Sequence, residues 1–219
     1  MTYVGNPLLD ELAKTSPTNR QVFLRRNGLG EKREIIALLP GSRRQEVKRM
    51  LDVMLKVIPH FPQYQFVIAG VSSVGKDLYK KLIGSADVTF IEGQTYELLQ
   101  NASAALVTSG TATLETALFN VPEVVCYRAN RLSYLIAKKL IRVKYISLVN
   151  LVMDKQVVTE LIQDDLTEEN LVNQLNQLLT SGKVQRQLLD DYMELQSRLG
   201  DAGASEMAAN VVVESIRRS

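Results

Sequence analysis

The apolar run Ala104–Val107 ends in Thr108-Ser109-Gly110-Thr111, and the helix-like segment that follows carries Glu115. A Ser-Gly-Thr turn at the end of a strand lets backbone and hydroxyl groups come close to a ligand, and the next helix start favours negative charge. Glu115 fits no capping box, because Ala112 stands where Ser or Thr would be needed. Beside phosphate it would be repelled. An acid at this place can accept hydrogen bonds from the hydroxyls of a sugar diol. The alternative is a solvated acid that gains only from the helix dipole.

A second turn, Pro40-Gly41-Ser42, closes the run Glu34–Leu39 and is followed by Arg43-Arg44. Ser42 with Gln45 would form a capping box. Two cations on a first helical turn oppose the dipole unless an anion is bound there. Guanidinium forks, free backbone N–H groups and Gly41 together suit phosphate; two solvated arginines are the alternative. Phosphate at one strand end and a diol at another describe a nucleotide.

From Val124 to Met153 there are six basic residues, Arg128, Arg131, Lys138, Lys139, Arg142 and Lys144, and no acid. Leucines and isoleucines interleave with them. Such a segment can lie on an anionic membrane surface, or it can be the solvated face of a helix. Asn150 lies just past a candidate strand at Tyr145–Leu148, where its amide could bond a ligand oxygen. Glu160 and Gln163 fall three apart on an expected helix face and read as surface groups. His60, the only histidine, reads as a helix-end or surface residue. No metal cluster, P-loop, GxGxxG or Ser–His pair occurs, so neither a metal nor a cofactor is expected and no general base stands out.

These residues need a frame. Apolar runs at Glu34–Leu39, Phe66–Gly70, Val88–Ile91, Ala104–Val107 and Val124–Tyr127 each precede a segment of helical period. That alternation predicts a doubly wound α/β fold around a parallel sheet, with ligands at the carboxyl ends of its strands. Residues 1–33 read as a junction with a short helix, 34–165 as the Rossmann-like domain, and 166–219 as C-terminal helices. The 219 residues are 46% hydrophobic, which suffices for a real core. A net charge of +2 excludes a global pull towards nucleic acid. The single Cys126 suits a reducing compartment, and without a signal-like or membrane-spanning stretch the expected location is cytoplasmic.

LLPGSRRQEV, LVTSGTATLETAL, VVCYRANRLSYLIAKKLIRVKYISLVNLV and VVTELIQ, in this order, resemble the lipid-A-disaccharide synthase family, from Tyr3 to the C-terminus. Two departures are Asn6, where the family usually has His, and Val149, where it usually has Pro. The resemblance implies one half of a two-Rossmann-domain (GT-B) glycosyltransferase. It implies transfer of 2,3-diacylglucosamine from its UDP derivative to 2,3-diacylglucosamine 1-phosphate, with the UDP-sugar as substrate. Carried over, Ser42 and Arg43 contact the diphosphate, with Gly41 as their turn. Ser109, Gly110 and Thr111 line the phosphate–ribose pocket, Glu115 takes the ribose hydroxyls, and Asn150 contacts the donor. The implied setting is the inner face of the cytoplasmic membrane of a Gram-negative bacterium. The acceptor site and base would lie in an N-terminal half, so the expectation is weak UDP binding without turnover. Val211, Val212, Val213 and Ile216 are expected to pack on the sheet or on a second copy in a homodimer. Two other readings are an isomerase of the UDP-N-acetylglucosamine 2-epimerase type and a non-catalytic α/β module of the response-regulator type.

Overall fold

A computed structural model describes residues 4–129 and 144–217 of the chain. Six parallel strands form one sheet: β1 (Ile35–Leu39), β2 (Gln65–Gly70), β3 (Val88–Glu92), β4 (Ala102–Thr108), β5 (Glu123–Tyr127) and β6 (Thr159–Ile162). Their order is β3-β2-β1-β4-β5-β6, the doubly wound arrangement in which the chain reverses direction between β1 and β4. Five of the strands lie where the apolar runs placed them.

The central strand explains why its run is apolar at every position. Ile36 and Leu38 join one buried cluster, while Ile35, Ala37 and Leu39 join the other. A parallel strand covered by helices on both faces must be apolar on both. Helices α3 (Arg44–Lys56) and α4 (Lys76–Ile83) contribute to the first cluster, α2 (Arg20–Arg26) and α5 (Thr95–Leu99) to the second. Within β2, Gly70 is required by its neighbour: a Cβ there would lie 2.2 Å from the Phe90 ring.

The described part of the N-terminal segment holds two helices, α1 (Pro7–Ala13) and α2, and α2 buries Phe23 and Leu24. Helix α6 (Thr111–Leu118) follows β4. The expected strand at Tyr145–Leu148 is absent. Ser147 instead caps a short helix, α7 (Leu148–Met153), by accepting the Asn150 backbone N–H at 3.2 Å. The sixth strand is Thr159–Ile162, in the stretch expected to be helical, and its register is set by pairing Val124–Tyr127.

After β6 come α8 (Glu168–Thr180), α9 (Gly182–Leu199) and α10 (Ala204–Arg217). Asp10 of α1 accepts the backbone N–H groups of Gly203 and Ser205, the latter at 2.8 Å, and so caps α10 from outside. Those bonds hold its carboxyl down at about 2. Val211, Val212, Val213 and Ile216 do not pack on the sheet: they are 39%, 56%, 44% and 69% exposed.

Candidate functional site at the carboxyl ends of the strands

The β1 turn and the β4 turn face each other across the point where the strand order reverses. Gly41 has φ +104°, and a Cβ on it would come within 2.9 Å of Glu46 Oε2 and 3.0 Å of Glu46 Cβ. Only glycine fits there. The helix cap lies one residue later than the sequence suggested: Arg43, with extended backbone, is the N-cap of α3. The capping acid is accordingly Glu46 and not Gln45. Its carboxylate accepts the Arg43 backbone N–H at 3.3 Å and the Arg43 guanidinium at 2.7 Å. That leaves Ser42 in the turn. The two arginines part: Arg43 stays exposed on the cavity rim, while Arg44 donates to the Val74 carbonyl at 2.6 Å.

At the other turn, Gly110 is the N-cap of α6, so Thr111 and Ala112 open the helix with backbone N–H groups that lack intrahelical partners. Ser109 donates its hydroxyl to the Ile146 carbonyl at 2.9 Å, which fixes its rotamer and leaves its oxygen able to accept. Thr108 Oγ1 is buried without a hydrogen-bond partner.

Ser42, Arg43, Thr108, Ser109, Thr111 and Glu115 border one cavity of about 370 Å³. Glu115 and Thr95 also border a second cavity of about 710 Å³, walled by Thr15–Thr18 and the β3–α5 loop. Glu115, half-buried on α6, therefore stands at the junction of the two. Its partner is Tyr96, whose hydroxyl donates to Oε1 at 2.9 Å while its ring rests 5.3 Å from that of Phe119. Burial, and then the Glu115 charge, push the Tyr96 hydroxyl far above the ordinary tyrosine value.

Asn150 does not face this cavity as a free amide. It is fully buried on α7. Its Oδ1 accepts from the Val157 and Val158 N–H groups at 2.7 and 2.9 Å, and its Nδ2 donates to Val158 O and Glu160 Oε1 at 2.9 and 2.8 Å. All four of its hydrogen-bonding positions are filled. Glu160 is no surface group either. On β6 it accepts from the backbone N–H groups of Ile146 and Ser147, from the Ser147 hydroxyl and from Asn150. Gln163, also expected on the surface, is buried, with φ +55°.

Of the basic segment, Arg131, Lys138, Lys139 and Arg142 lie outside the described residues. Arg128 turns inward and donates to the Leu166 and Gln163 carbonyls. Lys144 is exposed, 4.9 Å from the centre of the Tyr145 ring. His60, exposed, contacts Glu168 at 2.8 Å. The sequence reading missed Tyr96 and Thr108. Thr108 could have been flagged as a hydroxyl at a strand end, but nothing local pairs Tyr96 with a carboxylate on another helix.

A strand-end cavity at the switch point of this sheet defines a Rossmann-like α/β unit of the kind shared by GT-B glycosyltransferases and sugar-nucleotide epimerases. In solved structures the chain resembles the S. aureus MnaA–UDP co-structure (TM-score 0.66, 15% identity, 98% of this chain and 53% of that one). It also resembles WaaG, a glycosyltransferase involved in lipopolysaccharide biosynthesis (TM-score 0.56, 17% identity, 91% and 52%). Likenesses at such identities speak to the fold.

The sequence relationships are narrower. The model of the lipid-A-disaccharide synthetase family matches residues 1–212. The lipid-A-disaccharide synthases of Syntrophus aciditrophicus and Syntrophotalea carbinolica are 39% and 35% identical over 100% and 98% of the chain. The chain belongs to the lipid-A-disaccharide synthase family. It spans 58% and 56% of the length of those two relatives.

Proposed function

We propose that this chain holds the UDP portion of a UDP-2,3-diacylglucosamine donor, for transfer of the sugar to 2,3-diacylglucosamine 1-phosphate. Lipid A disaccharide 1-phosphate and UDP are the products in this reading. One observation carries it: an exposed arginine, a helix N-terminus and a half-buried carboxylate border a single cavity. Anion-seeking groups and an anion around one cavity suit a ligand that is itself part anion and part polyol. The diphosphate lies between Ser42, Arg43 and the first turn of α6, where backbone N–H groups and the helix dipole favour it. Glu115 accepts from the ribose hydroxyls, and the base extends into the larger cavity beyond it. The transfer as proposed assigns no role to a metal ion.

Family membership favours this reading over the isomerase type, with which the fold is shared. The test is calorimetric titration of UDP into the chain and into E115A. We expect binding by the unmodified chain and loss of about tenfold or more in the variant, the scale of a charged hydrogen bond. No uptake of UDP by the unmodified chain overturns the reading.

A further inference from the structure

We propose that Tyr96 is a positioning residue that sets the preference of this site for a ribose over a 2-deoxyribose. The inference rests on the nucleotide reading above. A free glutamate on a helix surface samples several rotamers and offers its oxygens in many directions. Here the Tyr96 hydroxyl donates to Oε1 of Glu115 at 2.9 Å. The ring is itself held against Phe119, with centroids 5.3 Å apart. Tyr96 is the second residue of α5, just after the β3–α5 loop, and both it and Glu115 border the larger cavity.

One lone pair of Oε1 is thereby spent, and the carboxylate plane is fixed relative to the cavity. Oε2, with the remaining face of Oε1, is left for two adjacent hydroxyls. A single hydroxyl can follow a carboxylate that wanders. Two at once require its two oxygens to be where the diol is. The tyrosine therefore matters most for a ligand with both hydroxyls and little for one that lacks the 2′-OH. Burial and the neighbouring charge keep the phenol protonated through the working pH range, so the donor is always present.

The experiment measures UDP and 2′-deoxy-UDP affinity for the unmodified chain, Y96F, E115A and the double variant. Y96F keeps the ring contact with Phe119 and is expected to fold. The unmodified chain should prefer UDP. Y96F should lower that preference by about tenfold, the cost of a lost hydrogen bond to a charged group, while 2′-deoxy-UDP affinity changes little. E115A should abolish the preference, and Y96F added to E115A should change nothing more. If the unmodified chain takes up no UDP, the nucleotide reading and this inference fall together. If it binds both nucleotides equally, the ribose reading of Glu115 and the role of Tyr96 fall. An unchanged preference in Y96F, or an equal loss for both nucleotides, overturns the role of Tyr96 alone.

Discussion

Four glutamates of this chain show what decides the fate of a carboxylate. Glu46, Glu115 and Glu160 are each held by donors, and each orders a turn or faces the cavity. Glu123, at the start of β5, is 1% exposed and neither carboxyl oxygen has a hydrogen-bond partner. Burial pushes its carboxyl well above the ordinary value of 4.5. The folded state then binds a proton that the unfolded chain has already released. Stability is full below the unfolded value and falls as pH rises towards the folded one. E123M should stabilise the protein at neutral pH by about 1–3 kcal/mol and remove that slope. Chemical denaturation at several pH values checks it, and an unchanged slope in the variant would sink the idea. At this scale the sequence was legible for Gly41, whose turn only glycine fits, and misread the cap, which falls on Arg43 and not on Ser42. It was opaque for Asn150 and Glu160, whose partners arrive from segments brought together only by folding.

Elements were legible where a run is apolar on both faces. Of the five strands found from sequence, β1, β2, β4 and β5 supply most of the buried core of the sheet, while the edge strand β3 buries only Ile91. The misplaced sixth shows the limit of pattern reading. Tyr145-Ile146-Ser147-Leu148 has strand-forming residues, yet Ser147 caps a helix. Thr159–Ile162 carries no stronger local signal and becomes a strand because β5 offers it an open edge. Packing between neighbouring strands gives an equally local test. G70A places a methyl against the Phe90 ring in β3 and should cost about 1–3 kcal/mol, the usual penalty of overpacking. The double variant G70A/F90L should recover part of that loss. Thermal melting of G70A, F90L and the double variant decides it: additive losses would mean that the contact is not the cause.

At the scale of the whole molecule, charge and apolarity are unevenly placed. No helix among the described residues is long and apolar enough to cross a membrane. The expectation of a lipid surface rests on the basic segment, which ends at the exposed Lys144. The proposed donor and acceptor are both acylated, so a surface-bound enzyme would meet them where they reside. The chain should sediment with vesicles rich in anionic lipid and less so at high salt. K138E/K139E should weaken sedimentation severalfold, at about 1 kcal/mol per charge near the surface. Equal sedimentation with neutral vesicles would remove the electrostatic basis.

The bond from Ser109 to the Ile146 carbonyl ties the cavity turn to the chain that follows the basic segment. Ile146 and Ser147 hang on Glu160, so the turn that borders the cavity and the chain returning from the basic segment share one anchorage. Two events that draw on a common anchorage are coupled to the extent that each changes it. A ligand that tightens the Ser109 turn would then tighten Ile146 and Ser147 as well, and whatever tightens those two would favour that ligand by the same free energy.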